Sequence, residues 1–147
     1  MSKSPNRALT IIIGLVITAV AIVSILSTTR STVVINPNTP AGAVQVYLKA
    51  VLDGKNSEAA KILSPDSVCK ITDLDRVYVV NATRVDLVSS MIQGATAEVR
   101  VKVEIPSGGP FGDFMTEDHT FRLVNSGGTW LLTGIPWPLY NCGVMAK

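Results

Sequence analysis

The 147-residue chain predicts an α+β fold, with an N-terminal transmembrane helix followed by helices covering one face of a curved antiparallel sheet. Three observations lead there: a long uncharged apolar run near the start, a stretch of helical periodicity after Thr39, and a change to period two beyond residue 76. The expected organisation is a cytoplasmic N-terminus over residues 1–7, a transmembrane helix over 8–26, a linker over 27–38 and an extracytoplasmic domain over 39–147.

Ala8 to Leu26 contains no charged residue. As a helix it would span about 28 Å, close to the bilayer hydrocarbon thickness of about 30 Å. Its apolar residues lie all round the helix, which suits a spanning segment better than one lying on the surface. Lys3 and Arg7 precede the run and Arg30 alone follows it, so the N-terminus is expected in the cytoplasm and the rest outside, as in a signal-anchor. A cleaved signal peptide is the competing reading, but the run exceeds the usual apolar length and no A-x-A site follows. Hydrophobic residues form 47% of the chain and charged residues 16%, an excess this segment explains.

Asn36, Pro37 and Asn38 interrupt regular structure, and Thr39 is placed to cap a helix that starts at Pro40. Val44, Tyr47, Leu48 and Val51 form its apolar stripe, and Asp53 and Gly54 end it. A shorter helix is expected from Asn56 or Ser57 to Leu63, stopped by Ser64 and Pro65. Strands are expected over 77–90, over the alternating stretch Ala97 to Ile105, from Glu117 to Val124 and from Thr129 to Ile135. Turns belong at Gln93–Gly94 and Asn125–Gly128, and residues 106–112 form a loop. The tail beyond Ile135 is expected to leave the sheet as an extended flap, because Pro136 and Pro138 cannot donate to a ladder.

The stretch TPAGAVQVYLKAVLDGKNSEAAKIL, residues 39–63, with the closing GGTWLLTGIPW, residues 127–137, resembles the nuclear-transport-factor-like (SnoaL-like) superfamily. Similar small single-anchor proteins occur in actinobacterial envelopes. The resemblance implies a cone-like domain of two or three helices on its sheet, with a pocket between them. It carries no catalytic motif.

Cys69 and Cys142 are the only cysteines, and in an oxidising compartment they are expected to form one disulfide. Two separate thiols or a redox couple are the alternatives. His119, the single histidine, lies on a strand face with Phe121 and Leu123 and is read as a structural residue; a general base is the competing role. Trp137, Tyr140, Phe111, Phe114 and Trp130 are the candidate partner or ligand contacts, with core closure the competing role for Trp130 above all. The Asn81-Ala82-Thr83 sequon is given no role.

The charge pattern shows no basic face for nucleic acid, no phosphate-binding glycine loop and too few His and Cys for an ordinary zinc site. No metal, cofactor or catalytic residue is assigned. The leading expectation is therefore a non-enzymatic binding module held in membrane lipid through residues 8–26, an accessory subunit contacting a membrane or envelope protein. A binding protein for a small apolar or lipid-like ligand is the alternative, and a pocket enzyme using His119 the third.

Overall fold

The structure, a computed structural model, describes residues 11–13, 33–76, 82, 84–108, 113–134, 136–140 and 142. The chain divides into two units, Met1–Val33 and Val34–Lys147. In the first unit Ile11, Ile12 and Ile13 are helical; the remainder of the expected 8–26 span lies outside the described residues. Among the described residues no helix is long and apolar enough to cross a membrane.

The second unit begins with α1, Pro40–Leu52. Thr39 caps it as the sequence predicts: its backbone is extended and its Oγ1 accepts from the Gly42 N–H at 3.1 Å. The Asn36 carbonyl accepts from both the N–H and the hydroxyl of Thr39, at 3.0 and 2.7 Å, so the preceding turn folds tightly over the helix start. That places the carbonyl where a Cβ on Gly42 would stand, so only glycine fits there. Val44, Tyr47, Leu48 and Val51 are all buried, which makes the periodic stripe the face of α1 that meets the sheet.

Helix α2 is Asn56–Ala60, three residues shorter than expected. It ends early because Ile62 to Ser64 bond to the last strand instead. The Leu132 N–H donates to the Ile62 carbonyl and the Ser64 N–H to the Leu132 carbonyl, both at 2.8 Å, making a parallel bridge between Leu63 and Leu132. A further short helix, α3, spans Ile71–Leu74, its Lys70 N–H held by the Asp73 carboxylate at 2.7 Å.

Four antiparallel strands follow in a meander: β1 Arg84–Gln93, β2 Thr96–Pro106, β3 Phe114–Ser126 and β4 Thr129–Thr133. The curved sheet with helices on one face is the α+β architecture the periodicity predicts. The first strand continues to Gln93, beyond the expected end at Ser90; of its expected start, residues 77–81 and 83 lie outside the described residues. Two-residue turns join β1 to β2 and β3 to β4. Gly127 and Gly128, at φ of 60° and 87°, supply the left-handed pair that such a hairpin needs. The register slips between Leu87 and Ser89, leaving Val88 as the extra residue of a bulge.

Along β2 the predicted alternation holds. Ala97, Val99, Val101, Val103 and Ile105 are buried under the helices, and Arg100 and Lys102 stand on the opposite, wet face. Tyr47 of α1 meets Phe121 of β3 edge-on, their ring centroids 6.2 Å apart. Burial pushes the Tyr47 phenol well above its ordinary pKa, and its hydroxyl has no hydrogen-bond partner among the described residues.

The tail corrects the sequence reading. Pro136, Trp137, Pro138 and Leu139 are buried, so the segment folds back on the domain and is no extended flap. Two short turns, Leu139 N–H to the Pro136 carbonyl and Cys142 N–H to the Leu139 carbonyl, let it curl without sheet pairing. The absence of proline donors decides only that the tail leaves the ladder, while its apolar side chains decide where it goes.

Candidate functional site

The antiparallel register sets which β3 side chains share the buried face of β2. Val101 pairs with His119 and Val103 with Glu117, so both polar residues point to the helix-covered side, two residues apart on one strand. Asp118 and Thr120 point the other way. The tail then lays two rings beside His119: Trp137 at 5.6 Å and Tyr140 at 5.9 Å between centroids.

Three polar groups meet there. His119 Nε2 lies 3.1 Å from Glu117 Oε2, the Tyr140 hydroxyl donates to that same oxygen at 3.3 Å, and Tyr140 and His119 Nε2 are 3.4 Å apart. The imidazole is largely buried, with 14% of its side chain exposed, against 37% for Glu117. Partial burial, then the Glu117 charge and the hydrogen bond to it, push the Tyr140 phenol up to about 12, with hydrogen bonding from Trp137 acting in the opposite sense.

A disulfide between Cys69 and Cys142 holds this arrangement, with Cα atoms 5.3 Å apart. Neither cysteine is free. Cys69 sits in the turn leading to α3, so the bond fastens the end of the tail to the helical layer and keeps Trp137 and Tyr140 over β3.

The other expected contact residues are scattered. Trp130 is buried in the core, as is Trp137, whose indole belongs to the interior beside His119. Tyr140 and Phe114 are about half exposed, Phe114 on the wet face at the start of β3. Phe111 lies outside the described residues. The sequence reading did not single out Glu117, although period two places it on the face of His119, Phe121 and Leu123. On the opposite side of the sheet a depression of about 270 Å³ is lined by Val88, Arg100, Asp118 and Thr120, touching His119 in the strand between. Among the described residues no cluster of three or more His, Cys, Asp or Glu is placed to hold a metal ion.

No family model matches the chain, and no curated protein matches its sequence. Solved structures do resemble it. A SEC-C-motif-containing protein from Rhodopseudomonas palustris superposes with a TM-score of 0.51 at 14% identity, covering 74% of this chain and 81% of its own. A designed nuclear-transport-factor-like protein gives 0.44 at 13% identity, covering 62% and 89%. A protein from Xanthomonas campestris described as a calcium/calmodulin-dependent protein kinase II association domain gives 0.39 at 15% identity, covering 64% and 80%. The first of these likenesses concerns the fold alone, an α+β arrangement shared across most of both chains.

Proposed function

We propose that the chain is a non-enzymatic binding protein, tethered to the membrane with its domain outside the cytoplasm, and an accessory subunit of a membrane or envelope complex of actinobacterial type. One observation carries this reading: the Cys69–Cys142 bond, a crosslink that persists in oxidising compartments. It agrees with the placement of Lys3 and Arg7 before the apolar run, which orients the rest of the chain outward.

Support for a protein partner comes from the sheet edge. Strand β1 pairs only with β2 among the described residues, and Leu87, Val88, Met91 and Ile92 on it are 48–58% exposed. A partner that adds an extended apolar segment along Ser89–Gln93 satisfies the open backbone groups and covers Met91 and Ile92. A small apolar or lipid-like ligand is the second reading, favoured by half-exposed Met115 beside Glu117 on the helix-covered side of β3.

Thiol labelling in intact cells tests the topology. An impermeant maleimide is expected to label Cys69 and Cys142 only after an impermeant reductant is added. Labelling without reductant, and only in opened cells, overturns the reading. Photo-crosslinking from position 92 tests the partner: one discrete adduct, lost in Met91→Lys, is expected, and a lack of any adduct counts against an accessory role at this edge.

A further inference from the structure

The Glu117–His119–Tyr140 cluster has an unusual balance of hydrogen-bonding capacity. Nε2 of His119 is flanked by Glu117 Oε2 and the Tyr140 oxygen, two acceptors when Glu117 is ionised, so its hydrogen is assigned to Nε2 and Nδ1 becomes an acceptor. The single hydroxyl hydrogen of Tyr140 is given to Glu117. Glu117 Oε1 and His119 Nδ1 take no hydrogen bond among the described residues, and neither is a buried unsatisfied atom, so both stay within reach of solvent. The capacity left over is therefore all acceptor.

The charge points the same way. The carboxylate of Glu117 is hydrogen-bonded by His119 and Tyr140 and has no Lys or Arg ion-pair partner among the described residues. The rings of Tyr140 and Trp137 lie against His119, the Tyr140 hydroxyl reaches the carboxylate, and half-exposed Met115 lies two residues along the same face of β3. A carboxylate, free acceptors and ring faces are complementary to a cation that carries several hydrogens on a short apolar stem.

We propose that Glu117, His119 and Tyr140 form a recognition site for an alkylammonium group. Glu117 pairs with the charge, the Tyr140 ring and Met115 flank the stem, and His119 holds the carboxylate and phenol in place. The chemistry is that of a free aliphatic amine or of a lysine side chain presented by a protein. The site does not depend on which side of a membrane the domain occupies, so it stands or falls separately from the topology.

The test uses the full chain in mild detergent, titrated with n-butylammonium and with its neutral counterpart 1-butanol. His119 is the only histidine, so its ring signals report the site without ambiguity. Saturable shifts are expected with the amine, and binding weaker by about tenfold or more with the alcohol and in Glu117→Gln, the usual effect of losing a charged hydrogen-bond partner. Tyr140→Phe, on an exposed ring, keeps the fold and is expected to weaken the amine several-fold; it carries the test if Glu117→Gln fails to fold. Equal binding of amine and alcohol, no saturable shift, or no effect of either substitution overturns the site. A lysine-containing peptide in the same titration separates the sources: tighter binding than the amine assigns a protein lysine, equal binding a free amine, and both outcomes support the proposal.

Discussion

Removing the Cys69–Cys142 crosslink is expected to destabilise the domain and free its tail. The two cysteines are 73 residues apart. Closing a loop of that length removes chain entropy from the unfolded state, and at 25 °C the loss of the bond amounts to about 4 kcal/mol. That is a large part of the roughly 5–15 kcal/mol that holds a typical domain together. With a urea slope of about 2 kcal/mol per molar, the unfolding midpoint should fall by about 2 M. The measurement is urea unfolding of the full chain in mild detergent, oxidised and reduced, beside Cys69→Ala/Cys142→Ala. Reduction isolates the crosslink, whereas the substitutions also remove two buried sulfurs.

Location matters as much as size. Hydrogen exchange should rise first at the amides of Leu139 and Cys142, which are held by short turns within the tail, while β2 between its two neighbours keeps its protection. A reduced protein that unfolds within about 1 kcal/mol of the oxidised one, well short of the loop-closure figure, with tail amides unchanged, would refute the staple argument.

Gly42→Ala should lower stability by more than the gain of about 1 kcal/mol that alanine brings to a helix, because its methyl meets the backbone carbonyl of Asn36; thermal unfolding measures it. Tyr47→Phe should leave stability unchanged or raise it by about 1 kcal/mol, since the phenol is buried with its hydroxyl unpaired, and denaturant unfolding decides the sign. Leu132→Ala should cost about 2–5 kcal/mol, because this fully buried side chain joins the sheet to the 62–64 segment. Tyr140 should ionise near 12, and ultraviolet titration of the wild type against Tyr140→Phe isolates it. Its folded pKa lies above the unfolded value of 10.0, so the folded state keeps a proton that the unfolded chain releases, and this contribution to stability is present below pH 10 and lost as the pH rises towards 12.

Much of the architecture was legible because it depends on local chemistry. The Thr39–Pro40 helix start, the stripe from Val44 to Val51 and the alternation along β2 each arise from neighbouring residues, and each appears where the sequence places it. Element ends were less legible. Helix α2 stops at Ala60 because Ile62 and Ser64 bond to Leu132, some seventy positions away, and no local signal announces that pairing. The bulge at Val88 likewise depends on how β1 meets β2.

The site divides along the same line. Period two alone puts Glu117 and His119 on one face, and the cysteine count makes Cys69–Cys142 the one intramolecular disulfide available, which the structure forms. Composition and spacing also determined the α+β class and the order of its elements, apart from the short helix α3 at Ile71–Leu74. Only the tertiary structure decided that the proline-rich tail turns back over β3, burying Trp137 and bringing Tyr140 to Glu117. The physical reason is range: caps and periodicity act over a few residues, whereas the return of the tail is set by apolar burial and a crosslink between segments far apart in the chain.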